Sequence, residues 1–436
     1  MGIAKKNFIN GKKRGLHMIG NMIMALGSIV FAVLFAFLLF ISATVLFAMF
    51  KKESYAAYEP DVSIVVPCYN EEKNIAECLD AIYSLDYPKE KIEVIAVDDG
   101  STDNTYKILK KYQKNNKNLV IMEGSHEGKS ESLNLGAKKA SSEIIFAIDA
   151  DTVIGKGSLK KLARPFSDRS VGLTNGSCIA KNTDSVMGIF QRIEYHYNNM
   201  LRKSFSVLFK NSIWFFGASV CYRKKALEKI GYFKKDTMTE DMDTAMEIYS
   251  AGYRVVNVHD ALCYTKVPST VKQFSEQRTR WFIGALQSLR KNKALFNAKS
   301  SPSILFAFIS QYWWALYAVI SFPLIAYQVY YWLPYNNGSF EALFMYLFRW
   351  FSLLGPVYVV YKIPEWGISL YNIFGVLSGV MSLFLMTAAI YLFNDRLNFK
   401  NLVALFFYFP YTILLNTITI LGLIKLIFIK KRHFIY

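Results

Sequence analysis

The chain has 436 residues, 53% hydrophobic and 16% aromatic, with 51 Lys and Arg against 33 Asp and Glu for a formal charge of +18. Those figures exclude a disordered, a disulfide-stapled or a wholly soluble protein, and the length allows two or three domains. Because only 19% of residues are charged, the basic excess sits beside long apolar stretches, a balance that fits an anionic lipid surface or a phosphate-bearing substrate better than duplex DNA.

In chain order, Met18 to Phe50 carries no charged side chain and exceeds the roughly 20 residues that cross a bilayer, so it reads as a permanent membrane anchor rather than a cleaved signal. Lys5, Lys6, Lys12, Lys13 and Arg14 precede it and Lys51 and Lys52 follow, so both flanks claim the cytoplasm. A single tilted span and a tight hairpin are both compatible with that pattern.

From residue 53 to 300 charge returns, and short Val- and Ile-rich runs (Val62 to Val66, Ile92 to Val97, Leu119 to Met122, Ile144 to Ile148) alternate with amphipathic segments such as Ile75 to Leu85 and Lys107 to Tyr112. That alternation predicts an α/β domain with a mostly parallel sheet covered by helices on both faces. Its ligands would lie beyond the carboxyl ends of the strands. All five cysteines (Cys68, Cys78, Cys178, Cys221, Cys263) fall here, none in a C-x-x-C pair, and they read as reduced thiols of a cytosolic domain. The five histidines are scattered, so any metal would be held by carboxylates.

Beyond Ser300 the apolar pattern resumes, with expected spans at Ile304 to Leu333, Ala342 to Tyr361, Trp366 to Phe393 and Leu402 to Ile424. The second is interrupted by Arg349 and could lie in the interface instead, leaving three spans or four. The predicted organisation is an anchor over 1–52, a cytosolic domain over 53–300 with an interfacial helix near 271–289, and a membrane bundle over 301–436.

Candidate chemistry lies where strands end. The first strand runs into Pro67-Cys68-Tyr69-Asn70-Glu71-Glu72 and the second into Asp98-Asp99-Gly100. Asp98 and Asp99 are placed to accept hydrogen bonds from a nucleobase or ribose; the ordinary alternative is a loop capped by Ser101 or Asp103. The fourth strand ends in Asp149-Ala150-Asp151, two carboxylates at i and i+2 that repel unless a cation lies near them. Hard oxygen ligands favour Mg2+ or Mn2+, with substrate phosphates completing the shell. Thr239-Glu240-Asp241 opens a helical pattern, where acids serve either the helix dipole or as a general base. Gln277-Arg278-Thr279-Arg280-Trp281 lies on a predicted helix over Val271 to Leu289, offering a cation for a diphosphate and a stacking face for a sugar, or simply an interfacial anchor.

Asp98-Asp99-Gly100, Asp149-Ala150-Asp151, Thr239-Glu240-Asp241 and Gln277-Arg278-Thr279-Arg280-Trp281, in that order, resemble the signature of membrane-bound, inverting family 2 glycosyltransferases, the cellulose, chitin, hyaluronan and poly-N-acetylglucosamine synthases. Gly128-Lys129-Ser130-Glu131-Ser132-Leu133-Asn134 is similar to that group's G-K-x-x-x-L-N stretch, and the likeness is nearest to the poly-N-acetylglucosamine branch, although Ala150 stands where that branch commonly has Gly. The resemblance implies a GT-A type nucleotide-sugar-binding domain inserted between transmembrane helices of a multi-pass plasma-membrane protein. It implies Asp241 as base with Glu240 beside it, and Pro67, Tyr69, Glu71, Asp98, Asp99, Lys129 and Asp149 around the nucleotide sugar. Asp151 with Asp149 would hold Mg2+ or Mn2+, and Gln277, Arg278, Arg280 and Trp281 the diphosphate and acceptor.

The expected activity is inverting, metal-dependent transfer from a UDP-sugar such as UDP-GlcNAc to a growing polysaccharide, coupled to its translocation, with membrane lipids and accessory export proteins as partners. The alternative is addition of one sugar to a membrane lipid acceptor. A transporter with a nucleotide-sensing domain does not explain the four ordered motifs, and no basic run interleaved with aromatics points to nucleic acid.

Overall fold

The computed structural model describes residues 2–51, 54–212, 216–332, 354–393, 395 and 398–428. The elements run α1 (Gly2–Met49), β1 (Val62–Cys68), α2 (Ile75–Tyr83), β2 (Ile92–Asp98), α3 (Thr105–Asn115), β3 (Leu119–Glu123), α4 (Lys129–Lys139), β4 (Ile144–Ile148), β5 (Val153–Ile154), α5 (Ser158–Ala163) and β6 (Val171–Ala180). They continue with α6 (Val186–Phe209), β7 (Ser219–Arg223), α7 (Lys224–Ile230), α8 (Glu240–Ser250), β8 (Arg254–Thr265), α9 (Val271–Lys291) and α10 (Pro302–Trp332). Among the described residues four further helices follow, at Gly355–Trp366, Leu370–Leu392, Phe399–Phe406 and Tyr408–Phe428.

Two compact units emerge: Met1–Ala43 with Trp314–Thr417, and Thr44–Trp313 with Ile418–Tyr436. The second contains an eight-stranded sheet of order β3-β2-β1-β4-β7-β6-β8-β5. Strands β3, β2, β1 and β4 are mutually parallel, as are β6 and β8, while β7 runs antiparallel to both β4 and β6. This is the mostly parallel α/β arrangement that the alternation of apolar runs predicts, and it agrees with the GT-A type that the resemblance implies. Side chains alternate across each strand. Val62, Ile64 and Val66 of β1 pack in one buried layer with Ile75, Leu79 and Ile82 of α2, and Val65 in another with Leu133 and Ala137 of α4. Being covered on both faces, β4 is buried at every residue, which is why Ile144 to Ile148 reads as an unbroken apolar run.

Register sets the position of the site. Cys68 is paired with Asp98 and Asp98 with Glu123, so three strands finish in one row. The chain turns from β1 toward β2 on one side and β4 lies on the other, which makes the β1/β4 boundary a topological switch point. Since β7 enters antiparallel beside β4, pairing Ser219 with Ile148, the residues before β7 meet the residues after β4.

The five cysteines are buried and unbridged. The first turns of α10 belong with this unit, Ile304 and Phe308 packing on Met242, Met246 and Leu289, so it extends past the expected boundary at residue 300.

Among the described residues four helices are long and apolar enough to cross a membrane: Asn21–Met49, Pro302–Ile325, Leu370–Leu392 and Tyr411–Phe428. The expected span Ala342 to Tyr361, with Arg349, lies mostly outside the described residues; its described end belongs to a helix of 12 residues, Gly355–Trp366. The expected span from Leu402 to Ile424 is two helices: Asn398 caps the short first one, accepting a 2.8 Å hydrogen bond from the Asn401 amide. Pro410 then occupies the first turn of the second, where its missing N–H removes no helical bond.

Candidate active site

The loops after β1 and β2 are tied to each other. Ser101 Oγ accepts from the Asn70 amide (3.0 Å), Thr105 Oγ1 from the Glu71 amide (2.7 Å) and Asp103 from the Glu72 amide (3.0 Å). Ser101 and Asp103 therefore brace the β1 loop, whereas the residue at the start of α3 is Asn104, without a side-chain cap. This brace presents Tyr69, 44% exposed, whose ring lies 4.5 Å from that of His126.

Asp98 and Asp99 are each only 5% exposed, and they do different things. Asp99 accepts from the backbone amides of Glu127 (3.2 Å) and Gly128 (2.8 Å), fixing the turn into α4. Gly128 has φ 93, a left-handed conformation that favours glycine. Asp98 keeps one carboxylate oxygen, Oδ1, buried and without a hydrogen-bond partner. Such an orphan acceptor is costly unless a ligand completes it.

The turn fixed by Asp99 delivers Lys129 to the centre. Its ammonium lies 2.5 Å from Asp149 and 3.2 Å from Glu240, joining the end of β4 to the start of α8. Burial pulls the lysine down, but the fields of Asp149 and Glu240 outweigh it and hold the ammonium firmly charged, above its usual range. Asp149 is held at its backbone too, its amide donating to the Ala218 carbonyl (3.4 Å), as the antiparallel entry of β7 requires. A side chain on the neighbouring Gly217 would place Cβ 3.2 Å from Asp241 Cβ and 3.5 Å from Lys129 Nζ, so this glycine closes the gap between the β4 end and α8.

Asp149 and Glu240 thus pair with one lysine, and Asp241 and Asp151 lie within its field. Burial pushes Asp241 up to about 7, with the negative field of Glu240 adding to it and Lys129 and Arg280 opposing. Burial acts against Glu240 as well, yet Lys129 prevails and keeps it below the usual range. Asp151 is raised to about 6 by burial, then by Asp149 and Glu71. Glu71 is itself raised by burial and by Asp149, although Asn74 donates to it at 2.7 Å. Among the described residues no three His, Cys, Asp or Glu are gathered closely enough to hold a metal ion on their own. Asp149 and Asp151 supply two hard oxygen donors in a region that already repels a second carboxylate, a donor set that fits Mg2+ or Mn2+ when a phosphate supplies further oxygens.

Residues of the Gln277–Trp281 segment divide. Arg280 is close enough to lower both Glu240 and Asp241. Gln277 keeps a buried Oε1 without a partner. Arg278 instead is 7% exposed, forms an ion pair with Glu194 at 3.0 Å, and lies over the rings of Trp281 (4.4 Å) and Phe274 (4.9 Å). That places it in the packing beneath α9 rather than among the four acids. Pro67 lies in β1 at the same edge, one residue short of its end.

Three residues outside the expected site set take their places through tertiary contacts. Asn134 exchanges two hydrogen bonds with the Phe233 backbone (3.0 and 2.9 Å), so the last residue of the G-K-x-x-x-L-N stretch ties α4 to the segment after α7. Arg223 is buried among the carbonyls of Val171 and Phe166 and pairs with Glu143. Arg202, 6% exposed, stacks 4.1 Å over Phe216 beside Gly217 and has no carboxylate partner among the described residues.

A model of the family described as "Glycosyltransferase like family 2" matches residues 60–284. The chain is 31% identical over 234 residues to a poly-beta-1,6-N-acetyl-D-glucosamine synthase of Staphylococcus epidermidis, and 30% identical over 232 residues to the protein of that name from Staphylococcus aureus strain COL. Each alignment covers 53% of this chain and 56% of the relative, about half the length of the proteins it matches. A solved mannosyltransferase from Pyrobaculum calidifontis, in complex with GDP-Man and Mn2+, superposes with a TM-score of 0.60 at 24% identity, covering 86% of this chain and all of the other, a likeness of fold. With the family match spanning more than half of its residues and the motifs converging on one sheet edge, the chain belongs to glycosyltransferase family 2 and is a glycosyltransferase.

Proposed function

We propose that the protein transfers N-acetylglucosamine from UDP-GlcNAc, with inversion, to the end of a growing polysaccharide, from an active site on the cytosolic face of the plasma membrane. The observation that carries this reading is the meeting of Asp149, Glu240 and Asp241 around Lys129 and Gly217 at the carboxyl edge of the sheet. The Staphylococcus relatives carry a name for the same chemistry.

Within that reading the orphan oxygen of Asp98 accepts from the uracil or ribose, and Tyr69 with His126 offers a ring face to the base. Pro67, Glu71 and the Asp99-braced turn shape the rest of the nucleotide-sugar site. Asp241, whose raised proton affinity suits a base near neutrality, takes the proton of the acceptor hydroxyl. The freed oxygen attacks the anomeric carbon from the face opposite the diphosphate, the bond from that carbon to the diphosphate oxygen breaks, and configuration inverts. Lys129 stays protonated throughout, holding Asp149 and Glu240 in place. Arg280 offsets charge on the departing diphosphate, while Gln277 and Trp281 border the acceptor. Arg278 supports Trp281 from beneath. Asp149 and Asp151 would hold Mg2+ or Mn2+, which when bound supplies electrostatic stabilisation to the leaving nucleotide.

The four apolar helices support a multi-pass membrane protein with 53–300 as the catalytic region, in which a membrane bundle would give a polymer its route out and export proteins would be further partners. Purified protein incubated in turn with UDP-GlcNAc, UDP-glucose, UDP-glucuronate and GDP-mannose tests the reading. Nucleotide release with UDP-GlcNAc and a product ladder by mass are expected. A single-sugar lipid product identifies the lipid-acceptor alternative, and no release from any donor defeats transfer.

A further inference from the structure

Two acids of the site, Glu240 and Asp241, are carried on α8 and the cationic side chain of Arg280 on α9, and nothing in the chemistry itself explains how the two helices keep register. One face of α9 does. Gln277, Arg280, Gly284, Gln287, Ser288 and Lys291 follow steps of three and four residues and therefore form one stripe along the helix. Its first half holds the motif residues; its second half grips the segment around Asp241.

Each position of that second half makes a specific contact. A Cβ on Gly284 would fall 2.6 Å from Thr239 Cγ2 and 2.9 Å from its amide nitrogen, so α9 approaches as closely as a glycine permits. Gln287 accepts a 2.9 Å hydrogen bond from the Met238 amide, and the hydroxyls of Ser288 and Thr239 lie 3.3 Å apart. Lys291 reaches Asp243 at 2.6 Å, Glu247 at 2.9 Å and Asp236 at 3.0 Å, while Asn292 donates to the other oxygen of Asp243 at 2.9 Å.

Asp243 is 1% exposed. A buried ion pair is weak evidence for stability, since an apolar residue of the same size often serves as well, but it fixes direction. Here it fixes the residue two positions after Asp241, and the Gly284 and Ser288 contacts fix the residue two positions before it.

We propose that Lys291 is a positioning residue for sugar transfer, locking the helix of Asp241 to the helix of Arg280 through Asp243. The proposal rests on the transfer reading above. A lone Lys291→Met change leaves Asp243 buried without its cation and invites misfolding, so the informative variant is the double change Lys291→Met with Asp243→Asn, which removes both charges.

In the full chain in detergent, kcat for UDP-GlcNAc falls about 10- to 100-fold in the double variant, the scale expected when a catalytic group is misplaced. The donor KM and UDP affinity by calorimetry stay at wild-type values, and Lys291→Arg retains most of the rate. Wild-type kcat in the folded double variant overturns the proposal. Amide hydrogen exchange at Met238 to Asp243 separates this proposal from the transfer reading. A wild-type protein that releases no nucleotide counts against transfer alone, and Lys291 is then judged by exchange: faster in the double variant supports the lock, unchanged overturns it.

Discussion

Gly217 stands so near Asp241 that a methyl group in its place would meet the aspartate Cβ at 3.2 Å and Oδ2 at 3.3 Å. The contact joins the segment entering β7 to the first turn of α8. An Ala side chain demands a shift of a few tenths of an ångström, whereas Val has no room without displacing the carboxyl. Gly217→Val is expected to reduce nucleotide release at least about 100-fold while the sheet stays folded. Turnover and thermal unfolding measured on the same sample check this; near-normal turnover in the folded variant removes Gly217 from the site.

Asp241 accounts for a pH dependence of known sign. Burial and Glu240 raise its proton affinity to about 7, so the base form is lost as pH falls through that value and the rate falls with it. Stability moves the other way. Between the ordinary aspartate range near 3.8 and about 7 the folded protein binds more protons than the unfolded chain, so this residue makes the fold less stable as pH rises across that window. Asp241→Asn is expected to abolish transfer, to keep UDP binding, and to unfold at a higher temperature than wild type at pH 8 but not at pH 4. An Asn variant that turns over would remove Asp241 as base.

Divalent cations and protons compete at Asp151. Its carboxyl, raised to about 6 by burial and Asp149, must release a proton before it can ligate a cation, so apparent Mn2+ affinity should weaken below that pH. Turnover is expected to vanish in excess chelator and return with Mg2+ or Mn2+, with Asp151→Asn needing far more cation. Full activity in excess chelator would end the metal assignment.

Asn134 separates motif from mechanism. Replacing it with Leu strands the buried Phe233 amide and is expected to cost about 1–3 kcal/mol of stability. The donor KM should hardly change in the folded fraction. A large rise in KM with unchanged unfolding temperature would restore Asn134 to the donor site.

Much of this was legible in the sequence because strand cores are contiguous and local. Ile144 to Ile148 reads as a strand because every residue of it is buried, and Asp149-Ala150-Asp151 reads as a ligand edge because it follows that strand. Thr239-Glu240-Asp241 opens a helix as its acids predict. The residues where local pattern failed are those whose partners lie far along the chain. Arg278 and Arg280 are two residues apart on one helix, yet only the former meets Glu194, and no spacing rule says which face of α9 would be buried. Asp98 and Asp99 look interchangeable until the backbone amides of Glu127 and Gly128 take up one and leave the other with a bare oxygen.

Periodicity and composition determined the α/β layering, the apolar helices at both ends and the order of the motifs, since each depends on neighbours a few residues away. Tertiary structure alone decided that Lys129 bridges Asp149 and Glu240, that Gly217 touches Asp241 and that Lys291 clamps α8 to α9. Those contacts depend on strand register and on β7 running antiparallel to β4, and hydrophobic pattern does not encode which distant charged groups are thereby brought within a few ångströms.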